Sequence, residues 1–147
     1  MESLKQLIKR DILRLKREIA LYNNEDAIWL VNANITNSAG NLCLHLIGNL
    51  NAYLGVGLAG TSYIRKRDLE FSLKGIPKAQ LINSIDETIL VVESALNKVT
   101  GEQANNDFPI VIWDKPTRMM YTLVQLSTHL NYHLGQINYH RRLLDKS

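Results

Sequence analysis

The chain has 147 residues, 46% of them hydrophobic and 21% charged, with a net charge of +3. These values fit one ordinary globular domain spanning residues 1–147, and so mild a charge does not demand a nucleic-acid partner. The single cysteine, Cys43, excludes an internal disulfide framework and fits a reducing, cytoplasmic compartment.

Residues 3–22 carry Leu4, Leu7, Ile8, Ile12, Leu15 and Ile19 at helical spacing, with Lys5, Lys9, Arg10, Arg14, Lys16 and Arg17 between them. This predicts an amphipathic helix with a solvated basic face, and no apolar run of the signal-peptide kind. Asn23–Asp26 breaks it, and Ile28-Trp29-Leu30-Val31 reads as connecting chain packed over the core. Asn37 or Ser38 is the expected N-cap of a second helix over residues 39–58, ended by Gly55, Gly57 and Gly60. Its apolar run from Leu42 to Leu58 contains His45, Asn49 and Asn51, which favours a buried helix over a membrane span. Cys43, two residues before His45, points to the opposite side, into the core. A polar basic stretch around Arg65-Lys66-Arg67-Asp68 reads as a loop, and Gly75-Ile76-Pro77 leads into a third helix over residues 78–99. Ile110–Trp113 is an extended segment or short strand, and Pro116-Thr117 opens a fourth helix over residues 118–144. Four long helices, two substantial connections and no alternating strand pattern predict an all-α four-helix bundle.

The fourth helix holds His129 and His133 four residues apart, so both imidazoles lie on one face, one turn apart. That is a two-point grip for a divalent metal, and His45 on the second helix is the clear third donor. Neutral imidazole suits Zn²⁺, Ni²⁺, Fe²⁺ and Mn²⁺, and three protein ligands leave a position for water or substrate. Gln125, His129, His133, Gln136 and His140 make one polar stripe, met by a narrow face of Asn41, His45, Gly48, Asn49 and Ala52 whose small residues permit close approach. His140 stands ~16 Å along the axis from His129, too far to share the centre, and Arg141 and Arg142 place it at an exposed helix end. Gln136, one turn past His133, either orients a ligand or bound water or makes an ordinary hydrogen bond. Arg65, Arg67 and Asp68 read as a solvated loop or as an anion-holding loop over the metal mouth. Position 130 is Leu, so the His-Glu-x-x-His metalloprotease motif is absent, and no phosphate loop or Ser-His-Asp pattern occurs.

The segment from Asn37 to Asn51 around His45, the stretch from Tyr63 to Ser72, and the closing His129-Leu130-Asn131-Tyr132-His133-Leu134-Gly135-Gln136 resemble, in order and spacing, the DinB-like (DinB/YfiT) superfamily of four-helix metalloproteins. The resemblance covers the whole chain. It implies a triad of His45, His129 and His133 around a divalent metal, often nickel or zinc, in a bundle that commonly forms homodimers. Relatives of that kind include metal-dependent transferases that use low-molecular-weight thiols such as bacillithiol, mycothiol or glutathione.

The expected function is therefore a metal-dependent, thiol S-transferase-type enzyme acting on a small electrophilic molecule, with neither a nucleic-acid nor a membrane partner. A non-catalytic metal-binding, stress-associated protein and a metal-dependent hydrolase are the alternatives. No residue is assigned a catalytic role, and Gln136, Arg65 and Arg67 are the substrate-contacting candidates.

Overall fold

The computed structural model describes residues 1–146 and is all-helical, with five α-helices and no strand among those residues. The helices are α1 (Glu2–Ala20), α2 (Ala39–Leu50), α3 (Arg67–Ser72), α4 (Lys78–Asn97) and α5 (Met119–Leu144). Helix α1 buries Ile8, Ile12, Leu15 and Ile19, a stripe spaced four, three and four residues, against α4 and α5. Helix α4 offers Leu81, Ile85, Val92 and Leu96, and α5 offers Leu123, Leu126, Leu130, Leu134 and Ile137. Helix α2 packs against α3, α4 and α5, which explains why it is buried nearly all round. The carboxylate of Asp11 accepts from Asn131 Nδ2 at 3.0 Å and from Arg10 Nε at 2.8 Å, tying α1 to α5.

Ser38 is the N-cap of α2: its hydroxyl oxygen accepts from the Asn41 backbone N–H at 3.2 Å. The glycines at 55 and 57 do not stop the helix. It continues with π geometry over Asn51–Ala59 and ends at Gly60, whose φ of 79° is left-handed. Asn51 holds the junction, its Nδ2 donating to Ile47 O and to Thr88 Oγ1 at 2.9 Å each. Helix and π segment together, Ala39–Ala59, are long and apolar enough by length and composition to cross a membrane. Half of its most apolar window is buried against the rest of the chain, as a core helix would be.

The three connecting segments behave differently from a plain reading of their composition. Glu25–Trp29 is a 3₁₀ turn that buries Ala27 and Ile28 and lays the Trp29 ring over Gly40, where an added Cβ would come within 2.5 Å of the ring. The basic stretch expected as loop contains α3, because Glu70 and half-buried Phe71 turn inward together. Residues 110–113 form no strand; the extended pairing there is one antiparallel bridge between Asp107 and Arg118.

Candidate metal centre

Helix α2 brings His45, and α5 brings His129 and His133, to one point. The ring centroids stand 5.0 Å (His45–His129), 5.2 Å (His45–His133) and 4.6 Å (His129–His133) apart, each pair edge to face. One nitrogen from each ring lies within 4.8 Å of the other two, and His45 Nε2 is 3.1 Å from His129 Nε2. A divalent ion with metal–nitrogen bonds of about 2.0–2.1 Å spaces neighbouring ligands by about 3 Å, so that pair already stands at ligand separation. The α5 pair meets because side chains four residues apart share a helix face, and His45 reaches it because α2 packs on α5.

The outer nitrogens of two rings are anchored. His133 Nδ1 stands 2.7 Å from Gln136 Oε1, and since an amide oxygen only accepts, the ring carries its proton there and leaves Nε2 bare. His45 Nδ1 stands 2.9 Å from Glu70 Oε2. Arg65 grips the same carboxylate, Nε to Oε1 at 2.7 Å and Nη2 to Oε2 at 2.9 Å, and its Nη1 donates to Tyr53 Oη at 3.1 Å. His129 Nδ1 is buried without a hydrogen-bond partner.

Burial lowers the pKa of His45, against the pull of Glu70. Burial first, then the neighbouring His133, His45 and Arg65, lowers that of His129 to about 4. At neutral pH both are therefore uncharged, the state in which an imidazole can ligate. Two neutral rings and two anchored outer nitrogens fit a divalent cation, and the three protein donors leave room for a further ligand.

A cavity of about 270 Å³ opens beside His45 and His129, walled by Tyr53, Arg65, Arg67, Trp113 and Gln125. Larger cavities of about 360, 520 and 760 Å³ lie elsewhere and include none of the three histidines. Donor chemistry, and not volume, singles out the smaller one. Arg65 and Arg67 thus both reach the histidine site, but in different ways. Arg65 is committed to Glu70 and Tyr53. The Arg67 guanidinium lies over the Phe71 ring, 5.4 Å from its centroid, with no ion pair among the described residues. Gln136 serves His133 and does not line this cavity.

Four expectations are corrected. His140 is not at an exposed end: it is 4% exposed, with Nδ1 2.8 Å from Tyr22 Oη and Nε2 2.9 Å from Leu30 O. The carbonyl only accepts, so Nε2 carries the proton and Tyr22 donates to Nδ1, which satisfies the ring fully. The α5 stripe is not uniformly interior, since Gln125 and Gln136 are exposed. Asn41 and Gly48 face α3, not α5: Asn41 Nδ2 donates to Glu70 O and Leu73 O at 2.9 Å each. The charge run is half site and half surface. Glu70 is the residue that sequence reasoning passed over, because nothing in Arg65-Lys66-Arg67-Asp68-Leu69-Glu70 shows which charges turn inward. Cys43 does lie in the core, where burial pushes its thiol up to about 12.

A protein-family model described as "Protein of unknown function (DUF1572)" matches residues 1–147. No curated protein matches the chain.

Proposed function

We propose that this chain, which belongs to the DUF1572 family of unknown function, is a DinB-like metalloprotein whose long helices α1, α2, α4 and α5 form the DinB-type four-helix bundle. In this reading His45, His129 and His133 hold a divalent cation, nickel or zinc before iron or manganese, for a thiol S-transferase-type reaction on a small electrophile. The observation that carries it is the meeting of three imidazoles from α2 and α5 beside a solvent-reaching cavity. A site that only stabilised the fold would not need that opening.

A divalent cation held there supplies Lewis acidity, which lowers the pKa of a thiol or water at the open position. The protein's own groups do the rest. Glu70 and Gln136 hold two rings in place. Arg67, unpaired at the cavity wall, can take an anionic group of a substrate or thiol. Tyr53 Oη accepts from Arg65 and keeps its own proton to donate into the cavity. Trp113 covers one side and limits water. Tyr132 and Tyr139, both 65% exposed on α5, support the homodimer that belongs to the same reading.

The test is metal content by elemental mass spectrometry on untagged protein, with a His129→Ala/His133→Ala variant alongside. Near-stoichiometric metal, lost in the variant, is expected, followed by metal-dependent conjugation of glutathione to 1-chloro-2,4-dinitrobenzene. No metal after incubation with Zn²⁺, Ni²⁺ and Mn²⁺ overturns the reading. Metal without transfer leaves a hydrolase or a non-catalytic site.

A further inference from the structure

We infer that Glu70 is a positioning residue for His45: its carboxylate, seated over Gly48 and gripped by Arg65, fixes the His45 proton on Nδ1 and turns the Nε2 lone pair toward His129 and His133. This rests on the metal-site reading above but adds a residue and a mechanism of its own. Glu70 is 6% exposed, on a helix where half-buried Phe71 is the one other side chain turned inward, and three donors converge on its two oxygens. Arg65 Nη2 also stands 3.2 Å from His45 Nδ1. A carboxylate only accepts, so His45 Nδ1 at 2.9 Å donates to Glu70 Oε2, and with its proton there Nδ1 has no lone pair to take a bond from Arg65.

The proton then follows through the cluster. With Nδ1–H given to Glu70, His45 Nε2 is an acceptor, and at 3.1 Å the donor to it is His129 Nε2–H. His129 Nδ1 is then the bare lone pair, buried without a hydrogen-bond partner among the described residues. One carboxylate thus sets the tautomers of two of the three histidines.

The competing explanation, that Glu70 only pins α3 to α2, is weakened by Asn41. Its side-chain amide already holds the α3 backbone through Glu70 O and Leu73 O, with no part played by the carboxylate. The seat itself is specific: a Cβ on Gly48 would lie 2.0 Å from Glu70 Oε1 and 2.7 Å from its carboxyl carbon. Adding a methyl at 48 therefore dislodges the carboxylate without altering any histidine, Arg65 or Glu70.

The experiment compares wild type, Gly48→Ala and Glu70→Gln by long-range ¹H–¹⁵N NMR of the metal-free protein and by Zn²⁺ competition against a chromogenic chelator. The expected results are an Nδ1–H tautomer at His45 in wild type, lost in Gly48→Ala, and Zn²⁺ affinity about ten- to a hundredfold weaker in that variant. Glu70→Gln should weaken binding less, since an amide oxygen still accepts but carries no charge. A merely structural Glu70 would leave the His45 tautomer unmoved in Gly48→Ala, even where the displaced side chain disturbs the packing of α2 on α3. An Nε2–H tautomer in wild type, or unchanged tautomer and affinity in both variants, overturns the inference. If wild type takes up no Zn²⁺, the metal reading fails, and the tautomer measurement still decides the role of Glu70.

Discussion

Acid should destabilise the metal-free protein well above the carboxylate range. His45, His129 and His140 all have pKa values lowered, each chiefly by burial, so the folded chain holds them neutral where the unfolded chain protonates them near 6.5. Where the unfolded state binds more protons, stability rises with pH. The stabilisation is thus fully present above about pH 6.5 and drains away as pH falls; for His129 the loss levels off near its folded value of about 4. A sealed ring displaced that far would account for about 3 kcal/mol; His129 is part-exposed, and screening by water leaves roughly 1–2 kcal/mol. His45 and His140 act in the same direction. Urea denaturation followed by circular dichroism at pH 7.5, 6.0 and 4.5, with a chelator present, reads the effect directly. The midpoint should fall at each step, and the fall should be smaller in His129→Asn. Stability that is flat or rises from pH 7.5 to 4.5 would refute the picture of neutral, buried imidazoles.

Two further outcomes test the packing. Tyr22→Phe removes the donor to His140 Nδ1 and strands a buried acceptor, which should cost about 1–3 kcal/mol in thermal or urea unfolding; an unchanged midpoint would mean the ring finds another donor. Gly40→Ala drives a Cβ to 2.5 Å from the Trp29 ring, so despite the gain in helix propensity it should destabilise by about 1–3 kcal/mol and shift tryptophan emission. A Trp29→Leu background should relieve most of that loss, and strict additivity of the two changes would contradict the contact.

What could be read from the sequence was local. The four-residue step from His129 to His133 is a property of any helix, and the apolar spacing of α1, α4 and α5 placed those elements to within a few residues. His45 was visible as a polar side chain in an apolar segment. The rest depended on which surfaces meet. Arg141 and Arg142 made His140 look like a helix end, yet its face is set by Ile137 and Leu134 below it, and that face is core. Helix α3 is too short for periodicity to register, so the one inward carboxylate among its charges was hidden. Gly55 and Gly57 read as stops, but the chain widens into π geometry there instead.

The seat of Glu70 over Gly48 also constrains how this sequence can drift. In isolation a glycine inside α2 costs about 1 kcal/mol of helix propensity against alanine, and single-step change would favour its loss. With the carboxylate 2.0 Å from where that methyl would sit, the two positions are tied. A larger residue at 48 displaces the acid at 70 unless that acid has first shortened or gone. Positions 48 and 70, 22 residues apart in the chain and on different helices, should therefore change as a pair among descendants of this sequence, whereas the neighbouring charges at 66 and 68 remain free to vary singly.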